Sequence, residues 1–338
     1  MRAWVVRDPR PVDEGPLEPA ELPDPVPGPG EVRVRVRTCG VCRTDLHVAE
    51  GDLEPRRSPI VPGHEVVGVV DALGPGADRF ELGERIGIAW LRATCGSCRA
   101  CRSGAENLCH APRFTGWTDD GGYAELAVVA EAYAYRLPAG LDDERAAPLL
   151  CAGIIGYRAL LRSGFRPGDR LGIWGFGASA HLTAQVAMAM GGELHVVTRS
   201  EDGRALARDL GAIWVGAPGD APPAPLDAAI SFAPAGAVVP DALRALDRGG
   251  VLALAGIHVT RIPPLDYAEH LFQERELRSV TANTRADGEA FLALAGRIGL
   301  AVTTVPYAFD RADAALADLA HDRFAGAAVL RMGEVAEG

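Results

Sequence analysis

The stretch Cys39-Gly-Val-Cys42-Arg43-Thr44-Asp45-Leu-His47 gathers thiols, a guanidinium, a hydroxyl, a carboxylate and an imidazole within nine residues. Downstream, Pro-Gly-His64-Glu65 and an isolated Cys151 add a second and a third donor suited to a borderline metal. Two thiolates and one imidazole with no fourth tight protein ligand leave a tetrahedral zinc with one open position, the arrangement of catalytic rather than structural sites. Such an ion can activate a hydroxyl or polarise a carbonyl.

A second cluster, Cys95-Gly-Ser-Cys98-Arg-Ala-Cys101 followed by Cys109, offers four thiolates on one short lobe. Four such donors close a tetrahedron with no vacancy, so this set is expected to hold a structural zinc. Free buried thiols or a Cys-x-x-Cys redox pair fit three cysteines at i, i+3 and i+6 plus a fourth poorly. With four cysteines on one ion and Cys42 and Cys151 on another, only Cys39 is left over. Clustered cysteines at short spacings suggest metal rather than disulfides and a reducing compartment.

A third constellation, Gly175-Phe176-Gly177-Ala178-Ser179-Ala180, follows an apolar strand and opens a helix. In that setting Gly-x-Gly-x-x-Ala is a dinucleotide fingerprint: one glycine for the tight turn, one for close approach of the pyrophosphate, a small third residue for helix–strand packing. An acid clasping the adenosine ribose is expected about 20 residues on. That place holds Thr198-Arg199-Ser200, with Glu201 and Asp202 suited instead to the start of a helix. Two hydroxyls and a guanidinium suit a 2′-phosphate, so NADP(H) is expected over NAD(H); the alternative is that Arg199 is simply solvated.

The elements that must position these groups divide the chain in two. Residues 1–90 read as β-rich: a strand at 1–6, a proline-studded loop at 8–30, a valine/arginine alternation at 31–38 whose arginines form a solvated face, and strands at 66–72 and 85–90 around a Gly-Pro-Gly turn at 74–76. Strand 123–129 and helices at 142–149 and 152–163 follow. From 170 onward strands and helices alternate (170–174, 181–190, 194–198, 203–210, 213–215, 228–232, 239–246, 251–255, 278–282), which implies a doubly wound parallel sheet. Residues 286–338 read as helix, strand, helix, strand and are expected to pack back on the first domain.

The 338 residues are enough for two domains, each with its own core, and 48% hydrophobic with 23% charged residues excludes global disorder. A net charge of −11 argues against nucleic acid or an anionic membrane as partner. Neither a signal peptide nor an 18-residue apolar run is seen, and a cytoplasmic protein is expected.

The chain resembles the zinc-dependent medium-chain alcohol dehydrogenases of bacterial type over essentially its whole length. The resemblance rests on C-G-V-C-R-T-D-L-H, on P-G-H-E at 62–65, on the four-cysteine lobe, on L-C-A-G at 150–153 and on the glycine motif. It implies an α/β architecture: a GroES-like β-rich catalytic domain (1–152 and 286–338) interrupted by a Rossmann domain (153–285), with the active site in the cleft between them. It assigns Cys42, His64 and Cys151 to catalytic zinc and Cys95, Cys98, Cys101 and Cys109 to structural zinc. Glu65 would sit behind the catalytic ion. Asp45 would orient His64, Thr44 would touch the substrate oxygen, and His47 would relay the proton through the cofactor ribose. Arg43 and Arg285 would meet the pyrophosphate, with Ile257 also beside the cofactor. Trp90, Leu91 and Trp117 would line an apolar pocket for aliphatic or aromatic alcohols and carbonyls, and the protein would be a homodimer or homotetramer. His258 is expected in a loop, and no role is expected for His110, His181, His195, His270 or His321. Two departures are noted: Ile155 where relatives carry threonine, and Ser179 where they carry an aliphatic, both expected under the nicotinamide. A related reductase of C=C or C=N bonds, and a catalytically silent nucleotide-binding protein, are the competing readings; the intact Thr44, His47 and zinc set weigh against both.

Overall fold

The strand Glu31–Val41 is the hub of the first unit. It pairs antiparallel with Val66–Leu73, Leu126–Ala130 and Ala327–Arg331. The sheet is extended by Arg85–Ile88 and Ala134–Arg136 on one side and by Thr304–Ala308 on the other. Val32, Val34 and Val36 point into the core, as the alternation requires. The arginine face is paired rather than merely solvated: Arg33 bonds Asp71 at 2.9 Å, and Arg35 and Arg37 reach Asp71 and Asp143. After a register shift between Val36 and Thr38 the strand is buried on both faces through Val41. It therefore delivers Cys42 directly off a fixed end.

The structure is a computed structural model that describes residues 1–324 and 326–333. It falls into two units, Met1–Cys151 with Asn283–Gly296 and Val302–Gly338, and Ala152–Ala282 with Arg297–Ala301. The division read from sequence, 1–152 with 286–338 against 153–285, differs at the crossovers and in assigning 297–301 to the first unit. Within 8–30 the structure forms a strand, Leu17–Glu21, where a loop was expected. Among the described residues it pairs with Arg2–Val6 alone, and Pro19 is tolerated because an edge strand leaves one row of backbone groups unpaired.

The second unit is built on a parallel six-stranded sheet among the described residues. Its spatial order is Trp214–Gly216, Glu193–Val197, Arg170–Trp174, Leu226–Ser231, Leu246–Leu254 and Glu276–Ser279. The chain starts at Arg170–Trp174, moves outward one way and then returns to build the other side. The switch point, where doubly wound sheets bind ligands, is thus the carboxyl end of Arg170–Trp174. The helix after it begins at Ala178 rather than at the expected His181, because Gly177 already serves as its N-cap.

Candidate active site and metal centres

Cys42 caps the helix Arg43–Glu50. Its Sγ accepts from the backbone N–H of Thr44 at 3.3 Å, while Asp45 Oδ2 accepts from the Cys42 N–H at 2.9 Å. The other Asp45 oxygen accepts from Gly63 N at 3.1 Å and from His64 Nδ1 at 3.0 Å. One buried carboxylate therefore ties the helix start to the Gly-His-Glu turn. With Nδ1–H committed to Asp45, His64 Nε2 is the atom left for a metal. It stands 3.3 Å from Cys42 Sγ.

Donor atoms of Cys42, His64, Glu65 and Cys151 all lie within 4.8 Å of one another. Zinc bonds of about 2.3 Å to sulfur and about 2.0 Å to nitrogen give a tetrahedral S···N edge of roughly 3.5 Å, so the Cys42–His64 pair is spaced for one ion. Burial pushes the Cys42 thiol up, but the hydrogen bond from Cys151 and the charge of His64 outweigh it and hold the thiol well below its ordinary value. Burial, then the Cys42 charge, pushes the Glu65 carboxyl well up. A side chain at Gly40 would overlap the Glu65 carboxylate. That glycine is what lets Glu65 lie behind the donor set, and nothing in the local motif announces it.

The four-cysteine lobe is equally ready. Cys98 Sγ caps the one-turn helix Arg99–Arg102 and accepts from Cys101 N; Cys95 Sγ accepts from Cys98 N, and Cys109 Sγ from Cys95 N and Ala111 N. Backbone bonds from Ser97 and Cys98 bring the Cys95 thiol down to about 6. The sulfurs of Cys95, Cys98, Cys101 and Cys109 lie within 4.8 Å of one another, with Cys98–Cys101 at 3.5 Å and Cys95–Cys101 at 3.9 Å. Those separations exclude disulfides and match the roughly 3.8 Å edge of a tetrahedral zinc–thiolate site. Cys39, the spare, is a buried free thiol packed beside Gly63 and Gly122.

The remaining residues of the motif sit in the same unit. Thr44 is buried, and His47 is half-buried with Nδ1 2.8 Å from Asp52. Arg43 is exposed and pairs with Asp322 at 2.5 Å. Arg285 departs from expectation. Its backbone N–H, Nε and Nη2 all bond Glu106 at 2.6–3.0 Å, and it lies 4.7 Å over the Tyr133 ring. The guanidinium is thus matched by a buried carboxylate beside the cysteine lobe rather than free. Leu91 also departs from expectation: it is buried in the strand Leu91–Ala93 within the core, because Trp90 takes the outward position.

Trp90 meets His64 edge-on at 5.0 Å and stacks on Phe114 (4.9 Å) and Trp117 (6.0 Å). Three partly exposed rings thus form one apolar wall that starts at a candidate metal ligand. Phe114 was missed from sequence, since a lone aromatic in a short strand carries no periodic signal.

In the second unit Gly175 has φ +83°, and a side chain there would come within 2.9 Å of Ala233 N. Phe176 is buried, Gly177 is exposed, and Ala178 and Ser179 open the helix Ala178–Ala189. The Ser179 carbonyl accepts from Thr183 Oγ1 at 2.7 Å, and a side chain at Gly156, next to Ile155, would overlap that hydroxyl; helix packing thus occupies this side. Thr198 is buried, and Arg199 is exposed with no side-chain partner among the described residues. Ser200 Oγ is taken as the N-cap acceptor of Glu201–Asp209. Ile257 is 61% exposed.

Comparison with known proteins agrees with the chemistry of these sites. Residues 28–139 match the family described as alcohol dehydrogenase GroES-like domain, and residues 180–297 that described as zinc-binding dehydrogenase. The chain is 58% identical over 335 residues to "Probable alcohol dehydrogenase AdhA" of Mycobacterium tuberculosis (strain CDC 1551 / Oshkosh), covering 98% of this chain and 97% of that one. Among solved structures, a cinnamyl alcohol dehydrogenase from Sorghum bicolor aligns with a TM-score of 0.88 at 30% identity, over 98% of this chain and 97% of that chain. A cobalt- and zinc-bound thermostable alcohol dehydrogenase from Pyrobaculum aerophilum gives 0.88 at 28%, over 98% and 99%. The chain belongs to the zinc-dependent alcohol dehydrogenases of the medium-chain type, oxidoreductases that move a hydride between an alcohol or carbonyl and a nicotinamide dinucleotide.

Proposed function

We propose that this alcohol dehydrogenase carries two zinc ions per chain, one catalytic and one structural, and works with NADP(H) in preference to NAD(H). The observation that carries the metal reading is the pair of donor clusters, Cys42/His64/Cys151 with Glu65 behind them and Cys95/Cys98/Cys101/Cys109. Bound in the first set, zinc would supply the Lewis acidity that brings a hydroxyl's ionisation down towards neutral pH, and the dinucleotide would supply the hydride acceptor or donor. Cys42 and Cys151 neutralise the ion's charge, so a neutral alcohol is held without trapping its product. Asp45 keeps His64 in the tautomer that leaves Nε2 free. The Thr44 hydroxyl takes the alcohol proton and His47, oriented by Asp52, passes it outward. Arg43 meets the pyrophosphate in exchange for Asp322.

Support for NADP(H) comes from the strand end at Val197: Thr198-Arg199-Ser200 stand there, the first acids, Glu201 and Asp202, lie in the helix that follows, and Arg199 is exposed with no side-chain partner among the described residues. The wall of Trp90, Phe114 and Trp117 favours apolar, particularly aromatic, alcohols and aldehydes or ketones. No helix among the described residues is long and apolar enough to cross a membrane. A cytoplasmic homodimer or homotetramer is part of the same proposal.

A panel of alcohols and carbonyls assayed with both cofactors, alongside zinc analysis of wild type and Cys42→Ala, tests the reading. Wild type should hold about two zinc per chain and the variant about one, with unchanged melting temperature and turnover reduced by on the order of 10³ or more. Retained turnover in Cys42→Ala would exclude the assigned catalytic ion.

A further inference from the structure

The helix Glu201–Asp209, which follows the turn after Glu193–Val197, carries a second guanidinium that the fingerprint does not specify. Arg204, only 19% exposed at its side chain, donates through Nη1 to the carbonyls of Thr198 (2.7 Å) and Arg199 (3.1 Å). Its Nε and Nη2 bond one carboxylate oxygen of Glu201 at 3.0 and 2.6 Å, and Arg208 approaches the other at 3.4 Å. Bonds from Arg204 and then Arg208 hold the Glu201 carboxyl below its ordinary value, so it is ionised and matched by cations. The side chain of Arg199, by contrast, is unpaired among the described residues. The loop thus offers a free cation just before a helix whose first acid two other cations neutralise.

Resting on the NADP(H) reading above, we propose that Arg204 is a positioning residue for cofactor selection. It fixes the Thr198–Arg199 turn through the two carbonyls and neutralises Glu201, so that a 2′-phosphate meets Arg199 without meeting a bare carboxylate. Without Arg204, Glu201 is released at the helix start, two residues from Arg199. Its charge then opposes the 2′-phosphate, while a carboxylate near a strand end is the partner that a free ribose hydroxyl takes in NAD-type sites. NADH, which lacks the phosphate, suffers no such repulsion. Loss of Arg204 therefore changes the ratio of the two affinities and not merely their level.

The test is the dissociation constants of NADPH and NADH, read by quenching of tryptophan fluorescence, for wild type, Arg204→Ala, Arg204→Gln, Glu201→Gln and the double variant Arg204→Ala/Glu201→Gln. Wild type should favour NADPH. Either Arg204 variant should lose about tenfold or more of that preference, Glu201→Gln should keep it, and the double variant should regain most of it. A purely structural role for Arg204 would weaken both cofactors together and leave the double variant unrescued, which overturns the inference. Wild-type preference for NADPH with an unchanged ratio in folded Arg204→Gln also overturns it, with the NADP(H) reading intact. Wild-type preference for NADH overturns that reading and this inference together.

Discussion

Gly175 and Gly177 stand two positions apart and are glycine for different reasons. Gly175 is left-handed and pressed against the backbone of Ala233, so the fold itself requires it. Gly177 has φ −113°, which any residue adopts, and nothing lies within 4 Å of where its side chain would go. The protein has no need of glycine there, whereas a phosphate approaching the helix start does. Gly175→Ala should therefore cost about 1–3 kcal/mol in urea unfolding. Gly177→Val, a poorer helix cap, should cost no more than about 1 kcal/mol of stability while weakening NADPH binding by about tenfold or more. An unchanged dissociation constant in Gly177→Val would remove the phosphate from that position.

At the scale of elements, the strand Glu193–Val197 carries a burden at His195. This residue is 3% exposed, its ring lies 6.4 Å from that of Trp214, and neither ring nitrogen has a hydrogen-bond partner among the described residues. Burial holds its pKa below the ordinary value. The native strand thus keeps the imidazole neutral, whereas the unfolded chain takes up a proton near pH 6.5. Stability contributed by this residue is present above the unfolded value and declines as pH falls from about 6.5 towards the native one. His195→Leu should gain about 1 kcal/mol by removing two unsatisfied groups, and calorimetry should show a shallower loss between about pH 6.5 and 5. A variant whose pH profile tracks wild type would mean the ring is not confined as described. Sequence alone placed His195 on a strand, but not that both neighbouring strands would seal it in.

For the whole molecule, the proposed pair of zinc sites has stability and activity depend on different ions. The cysteine lobe is largely exposed around a single helical turn, too little apolar surface to hold its own shape. The other set lies among buried Thr44, Asp45, His64 and Glu65. Six thiolates and one imidazole must be free of protons to hold both ions, so acid and chelator act in the same direction. Dialysis against a chelator at about pH 5 should strip zinc. The melting temperature should fall as the four-cysteine lobe empties, and alcohol oxidation should disappear as the other site does. Metal analysis beside calorimetry checks this, and full melting temperature with full turnover at zero zinc would refute it. With a net charge of −11, the molecule attracts rather than repels divalent cations, so reloading with zinc at neutral pH should restore both properties.

What sequence determined by itself were the features whose partners lie close along the chain. Four cysteines within fifteen residues bring four thiols together in one lobe because short loops leave few other geometries. A strand, a Gly-x-Gly turn and a helix fix a nucleotide-type switch point because each step is local. The Val/Arg alternation gave the buried face of the hub strand for the same reason. Tertiary structure decided whatever depended on a distant partner. Arg285 looked free until Glu106, 179 residues earlier, was seen to hold it. Leu91, expected beside Trp90 in the pocket, is in the core because strand pairing, not residue type, sets which side faces inward. Gly40 beneath Glu65 and Phe114 within the aromatic wall are products of sheet register and loop packing. Those arise only when remote segments meet, and no spacing along the chain encodes them.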